Sequence, residues 1–382
     1  MPDFAFTDEQ KALASTVRQF TADKIIPIAA ECDRVAKFPH DVYREAHELG
    51  IVAPVIPEQY GGAGISELEH TIVTEELAYG CTGIQTSITA TTLGATPLII
   101  AGTEEQKKEY LGRVARDGAY CSYAITEPAA GSDAAGIQCK AEKHGDDWVL
   151  SGQKLFITNA SFANWMVVFA TVDASQRHRG IMAFVVEAES PGLSIGKKED
   201  KMGQRASDTA TVILEDVVVP KKNVIAEAGA GFKVAMQTFD RTRPDIGAGA
   251  CGLMRRALDE SCRFALERKT FGTPIAQHQA VQHMLAEMAI KYEATRLLVH
   301  KAAWLIDQHE RSSLVSAYSK AFGADSAMQV ATDAVQVFGG VGYMREYPVE
   351  KLMRDAKILQ IYEGTSQIQR MVIAKNVLAQ YQ

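Results

Sequence analysis

Helical periodicity at both ends of the chain, with short β-branched runs between them, predicts an α+β protein. It has an N-terminal α-helical domain over 1–119, a small β-barrel or sandwich domain over 120–226, and a C-terminal four-helix-bundle domain over 227–382. Three observations carry this division: capping signatures recur in the first third, the middle alternates with period two, and long segments of period 3.6 fill the last third. With 382 residues, 47% hydrophobic and 23% charged, the chain has enough apolar material for two or three domains.

In chain order, Thr7…Gln10, Ser66…Glu69 and Thr103…Gln106 read as capping boxes, each followed by apolar residues at helical spacing. Gly50 and Gly80 read as the ends of two of these helices. Gly61-Gly62-Ala63-Gly64 reads as a hinge rather than a phosphate cradle, because no strand precedes it. From Tyr120 the pattern turns extended: Tyr120–Thr126, Trp148–Ser151, Lys154–Thr158, Met166–Val172, Ile181–Glu187 and Thr209–Val219 are expected strands. Helices are expected again over 231–267, 274–309, 313–337 and 365–380. Gly247-Ala-Gly-Ala-Cys-Gly252 spells a dinucleotide fingerprint, but inside a helical run its small residues serve close helix packing instead.

Composition excludes several functions. A net charge of −7 without a basic block argues against a nucleic-acid binder. The six cysteines (32, 81, 121, 139, 251, 262) show no Cys-x-x-Cys spacing and read as reduced thiols. No membrane insertion is expected, since the most apolar run, 84–102, contains Gln85, several hydroxyl residues and Pro97. Residues 1–10 carry acid and no Arg, unlike a signal or transit peptide. That favours a bacterial cytoplasm, with the mitochondrial matrix as the alternative for a processed form. The nine histidines show no ligand spacing, so no metal is expected. No Gly-x-Ser-x-Gly or Cys/His arrangement supports a hydrolase.

The chemistry concentrates in Ile361-Tyr-Glu-Gly-Thr-Ser-Gln-Ile-Gln-Arg370, where Glu363 and Gly364 precede a helix capped by Thr365 or Ser366. Locally, Glu363 satisfying the helix dipole is the simpler reading. With Val-Glu-Lys-Leu-Met-Arg-Asp-Ala-Lys (349–357) before it, the decapeptide resembles the C-terminal signature of the acyl-CoA dehydrogenases, the medium-chain enzymes most, and the similarity covers nearly the whole chain. The resemblance implies that Glu363 is the catalytic base, with Gly364 at the substrate and Thr365 and Gln367 at FAD.

Tyr123-Ala-Ile-Thr-Glu-Pro-Ala-Ala-Gly-Ser-Asp133 reads locally as a strand and turn. It is similar to the family's first signature, with Ala129 where Gly is usual, which implies flavin contacts from Tyr123 and Thr126 and a CoA contact from Ser132. Gly152-Gln-Lys-Leu-Phe-Ile-Thr-Asn159 resembles the segment against the flavin and implies roles for Phe156 (Trp in the medium-chain enzymes), Ile157 and Thr158; Phe156 and Ile157 also fit a strand core. Glu267-Arg-Lys-Thr-Phe271, with His278-Gln279, resembles the stretch that reaches a neighbouring subunit's FAD, implying Arg268, Thr270, Phe271 and Gln279. Helix C-terminal cations are the local alternative for Arg268 and Lys269. Gln336-Val-Phe-Gly-Gly340 matches the adenosine segment through Gln336, Gly339 and Gly340. Asp240-Arg-Thr-Arg243-Pro244 matches a CoA-contacting turn through Asp240 and Arg243, although Asp240 also fits a helix cap before Pro244.

The resemblance implies FAD-dependent dehydrogenation of an acyl-CoA to the trans-2-enoyl-CoA, Glu363 taking the α-proton and flavin N5 the β-hydride. It also implies electron-transferring flavoprotein as acceptor and a homotetramer built as a dimer of dimers. An acyl tail pocket is expected between Gln85 and Thr89 on one helix and Thr242 and Ile246 on another, each pair i,i+4. Asp245, where Val is usual, is expected to turn away toward Arg241 or Arg243. An oxygen-using acyl-CoA oxidase and a non-catalytic flavoprotein relative are the rival readings.

Overall fold

The structure, a computed structural model, describes residues 5–381, so the leader reading of residues 1–10 lies partly outside the described residues. The three capping boxes form as expected and open α1 (Asp8–Phe20), α4 (Glu67–Gly80) and α6 (Glu104–Gln106). A π turn over Thr21–Ile25 carries α1 into α2 (Ile26–Val35), which stops at Ala36 in the left-handed region. The first capped helix therefore does not run to Gly50. Pro39 disfavours helix in the residue before it, and Gly50, at φ 72°, follows a separate α3 (His40–Glu48) that has no capping box. α5 (Thr82–Ala101) and α7 (Gly112–Asp117) complete the first helical group.

The strands are β1 (Cys121–Ala124), β2 (Lys140–His144), β3 (Asp147–Thr158), β4 (Trp165–Thr171), β5 (Ile181–Glu187), β6 (Leu193–Lys198), β7 (Thr209–Val219) and β8 (Val224–Ala226). They form one eight-stranded sheet ordered β6-β7-β3-β2-β4-β5-β8, with β1 parallel to β4. β2, β6 and β8 are additions to the expected strands. β2 and β6 are mostly exposed and polar, and β6 and β8 are edges, so neither shows the alternation that marks a half-buried strand. β4 is buried along its whole length because its two faces serve two cores. Trp165, Val167 and Phe169 join the N-terminal helices, while Met166, Val168 and Ala170 fill the sheet's own core.

The C-terminal group holds α8 (Gly231–Glu267), the short β9 (Lys269–Thr270) and β10 (Thr273–Pro274), then α9 (Gln279–Asp307), α10 (Ser313–Phe338), α11 (Val349–Leu359) and α12 (Ser366–Leu378). α8 runs unbroken through Pro244, so Asp240 lies within a helix and is neither a cap nor part of a turn. Interior proline costs roughly 3 kcal/mol; here Thr242, Arg243, Pro244 and Asp245 are all buried, and that packing outweighs the lost hydrogen bond. The Gly-x-Gly-x-x-Gly run lies inside α8, where a Cβ on Gly252 would stand 2.2 Å from the Glu75 carbonyl oxygen of α4. Among the described residues no helix is long and apolar enough to cross a membrane.

α11, whose sequence was expected only as a motif, ties the three regions together. Asp355 is fully buried and accepts from Lys351 Nζ at 2.5 Å, Thr82 Oγ1 of α5 at 3.0 Å and the Gln204 main-chain N–H at 2.5 Å. Lys351 also donates to Cys81 Sγ at 3.1 Å. Burial disfavours the Lys351 charge, yet Asp355 and Cys81 drive it upward, so it stays an ammonium. Arg354 forks onto Asp33 of α2 at 2.7 and 3.0 Å and reaches the Met202 carbonyl at 3.1 Å. Lys351→Met is expected to cost about 3–5 kcal/mol, since it strands a buried carboxylate. The measurement is the urea unfolding midpoint, and an unchanged midpoint would remove the clamp from the account.

Candidate active site

Glu363 stands in the link between α11 and α12, at φ 50°, with Gly364 following at φ 89°. A non-glycine residue in this region is strained and persists only where its surroundings over-determine it. Here they do. Thr365 caps α12 by accepting from Ile368 N–H at 3.1 Å. The buried Gln369 amide donates to both the Glu363 and Gly364 carbonyls at 3.1 Å. Lys320 of α10, fully buried, donates to the Gly364 carbonyl at 2.6 Å. At φ 89° any side chain at 364 would be strained, and a Cβ there would also press on Gln369 Nε2 at 2.5 Å, so glycine is favoured.

The carboxylate points at α8, where Thr242 Oγ1 donates to Glu363 Oε2 at 2.8 Å. Glu363 keeps some accessible surface but is enclosed by protein on most sides. Burial pushes it up to about 7; Asp245 adds to the rise, while the Thr242 hydroxyl, Arg243 and Lys320 oppose it. Lys320 is itself lowered to about 8 by burial, against the pull of Glu363. An enclosed carboxyl poised near neutrality is suited to exchange a proton with a bound molecule.

Gln85 and Thr89 of α5 bond each other at 2.7 Å, and a Cβ on Gly249 of α8 would lie 3.3 Å from Gln85 Oε1. The expected pocket pair thus faces the same stretch of α8 that carries Thr242 and Ile246. Arg243 is buried, donates to Asp240 at 2.7 Å and lies over the Phe239 ring at 5.9 Å. Asp245 does turn away, but its close partner is His70 of α4, with Nδ1 3.1 Å from Oδ1. Arg241 is taken by Glu67 and Arg243 by Asp240, so the expected Arg partners are already engaged. The expectation of no ligand-spaced histidine also needs correction: Glu67 and His70 are three apart on α4 and, with Asp245, bring ligand-type atoms within 4.8 Å. Two carboxylates here are matched by cations of the chain itself, Arg241 and His70.

The two middle motifs lie side by side. Leu155 N–H donates to the Thr126 carbonyl at 2.8 Å, and Ser122 Oγ to the Thr158 carbonyl at 2.8 Å. Phe156 is 60% exposed and held at φ 58°, at a register break between β3 and β7. An exposed aromatic ring in a strained bulge beside Thr126 and Thr158 fits a planar cofactor. Ile157 is buried in the sheet core, leaving only its main chain for such a role. Tyr123 is buried against Phe169 and Phe239 with its hydroxyl 3.5 Å from the Ala235 carbonyl. Ser132 is exposed on the loop beyond, and open space surrounds Gly131. That loop hangs on a buried pair: Glu127 takes Lys154 Nζ at 2.6 Å and the Gln138 and Cys139 N–H groups at 2.6 and 3.0 Å.

The remaining residues lie elsewhere. Arg268 follows the end of α8, and the 26 residues from Thr242 span about 39 Å at helical rise. Phe264 stacks on Phe338 at 4.1 Å, so Arg268, Thr270, Phe271 and Gln279 share that far end with Gln336, Gly339 and Gly340. Phe271 is 98% exposed, and nothing stands within 4 Å of a Cβ on Gly339 or Gly340. Gln367 is exposed on α12 near Glu363. Lys320, Gln369, Glu127, Lys154 and His70 were given no role in the sequence reading. Gln369, Glu127 and Lys154 sit inside quoted motifs, but Lys320 and His70 have no local pattern that distinguishes them.

Comparison with known proteins gives a single family. The models for the acyl-CoA dehydrogenase N-terminal, middle and C-terminal domains match residues 7–117, 122–217 and 229–378. A probable medium-chain specific acyl-CoA dehydrogenase 2, mitochondrial, of Caenorhabditis briggsae is 47% identical over 98% of this chain and 92% of its own. Butyryl-CoA dehydrogenase from Megasphaera elsdenii superposes with a TM-score of 0.96 at 39% identity, covering 99% of this chain and 100% of that one. A chain from a structure described as the electron transferring flavoprotein of Acidaminococcus fermentans superposes with a TM-score of 0.97 at 41% identity, covering 99% and 100%.

The Glu363 carboxyl is expected to titrate near 7 by infrared difference spectroscopy, with Glu363→Gln as the blank. Thr242→Val removes a hydrogen bond to a charged acceptor, worth about 1.5–3 kcal/mol. Its titration should therefore move upward by roughly one to two pH units. A lowered or unmoved value would mean that Thr242 does not stabilise the ionised form.

Proposed function

The chain belongs to the acyl-CoA dehydrogenase family, and as an FAD-dependent oxidoreductase of that family we propose that it converts a saturated, medium-length acyl-CoA to the trans-2-enoyl-CoA. The observation that carries this reading is Glu363: a strained, enclosed carboxylate near neutrality, with one oxygen held by Thr242 and its main chain held by Gln369 and Lys320. Its role is to take the α-proton of the thioester. The Glu363 main-chain N–H is the proposed donor to the thioester oxygen, where negative charge develops as the proton leaves. Bound FAD supplies the acceptor for the β-hydride.

Phe156 and Tyr123, with Thr126 and Thr158, would form the wall against which the flavin ring lies, the main chain of Ile157 beside it. Thr365 and Gln367 would close it from α12. Ser132 would meet the CoA end. Gly364 would border the thioester, and Asp240 with Arg243 would contact CoA, Arg243 standing near the base. Gln85, Thr89, Thr242 and Ile246 would line the tail. The division at 1–119, 120–226 and 227–382 belongs to the same proposal, as do a place in fatty acid β-oxidation and electron-transferring flavoprotein as acceptor. The six cysteines are all free thiols, which suits a reducing compartment: a bacterial cytoplasm, or the mitochondrial matrix.

Anaerobic reduction of the flavin by butyryl-, octanoyl- and palmitoyl-CoA tests the reaction and its chain-length preference together. Octanoyl-CoA should be fastest, and Glu363→Gln should retain FAD yet lose ~10²–10⁴-fold in rate. A near wild-type rate in the variant would sink the base assignment; a maximum on butyryl-CoA would sink only the medium-chain preference.

Arg268, Thr270, Phe271, Gln279, Gln336, Gly339 and Gly340 gather beyond the far end of α8, about 39 Å at helical rise from Thr242, and we assign them to a neighbouring copy's FAD in a homotetramer, a dimer of dimers. Exposed apolar residues on α9 (Ile290, Leu297, Trp304) and α12 (Met371, Leu378) support a covered surface. Sedimentation should give a tetramer, and Arg268→Ala should release FAD more readily. A monomer with full flavin occupancy would contradict the assembly.

A further inference from the structure

One helical turn from Thr242, the residue that holds Glu363, a buried group of charges begins that the proposed reaction does not use. His70 is fully buried on α4, with Nδ1 3.1 Å from Asp245 Oδ1 and 3.8 Å from Glu67 Oε2. Neither ring nitrogen makes an aligned hydrogen bond, and Asp245 Oδ1 has none either. The contact is therefore one of charge and proximity. Asp245 lies one helical turn beyond Thr242, whose hydroxyl holds the base.

Every element packed here contributes. From α4 come His70 and Glu67, and Glu67 also holds Arg241 of α8. The Glu67 and Leu68 N–H groups donate to Asp307, at the end of α9, at 2.7 and 3.1 Å. From α8, Asp245 and Arg243 act on Glu363 through their charge, and from α10 Lys320 does; Tyr123 of β1 and Tyr362 of the link complete the surroundings. Asp240 neutralises Arg243, and Ser313 Oγ donates to Asp240. An unpaired carboxylate as buried as Asp245 would take up a proton rather than remain charged. An imidazolium at 3.1 Å is what allows it to stay ionised.

We infer that the buried His70–Asp245 pair is a positioning device for the Glu363 base. The His70 cation keeps Asp245 negative one turn from Thr242, and that fixed negative charge sets how readily Glu363 accepts a proton. The inference rests on Glu363 being the base. Burial alone would push His70 down, but Asp245 and Glu67 push it up to about 10, so the ring is charged at neutral pH. Burial raises Asp245 above the usual carboxylate range on balance, and the His70 cation at 3.1 Å, with Arg241, opposes that rise. A second negative charge beside Asp245 is disfavoured, so Glu363 holds its proton to higher pH than it would alone.

The experiment reads two signals on the purified holoenzyme. In ¹⁵N-histidine NMR, the resonances lost in His70→Gln assign the His70 ring, which should be doubly protonated from pH 6 to about pH 9. In anaerobic flavin reduction by octanoyl-CoA, Asp245→Asn should move the acid limb of the rate profile to lower pH by ~0.5 unit or more. A neutral His70 ring at pH 7 overturns the proposal, as does a stoichiometric divalent metal in the purified protein. An acid limb unmoved in Asp245→Asn overturns it too, since a merely structural role would change stability and leave the limb in place. If Glu363→Gln keeps its rate, the base assignment fails and the proposal with it, while the His70 signal still shows whether the ion pair exists.

Discussion

The fully buried carboxylate of Asp355 is the contact on which the arrangement of the site depends. It gathers Lys351 from its own helix, Thr82 from α5 and a main-chain N–H of the sheet region at Gln204. A carboxylate removed from water must satisfy its oxygens in full, so these three partners are held at hydrogen-bond distance. Arg354, one residue earlier, repeats the logic at the surface with Asp33 and the Met202 carbonyl. α11 is thereby fixed against both other regions, and Glu363 stands only four residues after it ends.

From that fixed start the strain at Glu363 becomes intelligible. A left-handed backbone at a glutamate is unfavourable alone, but Gln369 and Lys320 hold the two carbonyls on either side of the bend. The price is a buried lysine whose charge is itself resisted by burial. Its compensation is the nearby carboxylate, so Lys320 and Glu363 stabilise each other's ionised forms. Asp245 works against Glu363 ionisation, and Arg243 works for it. The Glu363 carboxyl is balanced between opposed charges rather than buried among apolar groups alone.

The sheet region reaches the same place by a different constraint. Its central strands β4 and β5 are covered on both faces, one by helices and one by the sheet's own core, which leaves β1 and β3 to present residues at the boundary. Lys154 and Glu127, both buried, anchor the loop after β1 to β3. The register break at Phe156 then turns one aromatic ring outward from a strand whose neighbours face in.

The three-part α+β order, the capping boxes and the prominence of Glu363 were legible in the sequence, because capping chemistry and hydrophobic period are local and the decapeptide 361–370 is distinctive. The helical character of Val349–Leu359 was legible in principle, since its apolar residues keep a helical period, yet its role as a clamp was not. Exposed strands β2 and β6 lacked alternation and passed unseen. The continuity of α8 through Pro244 was decided by burial from several sides, which no local propensity encodes. Above all, the tertiary structure alone decided which charges meet. Lys320 is 43 residues before Glu363 in the chain, and His70 is 175 before Asp245, and nothing in either neighbourhood marks them. Pairing of buried charges is set by how helices pack, and packing is a property of the whole chain; the sequence by itself singled out Glu363, and the fold determined the field in which it stands.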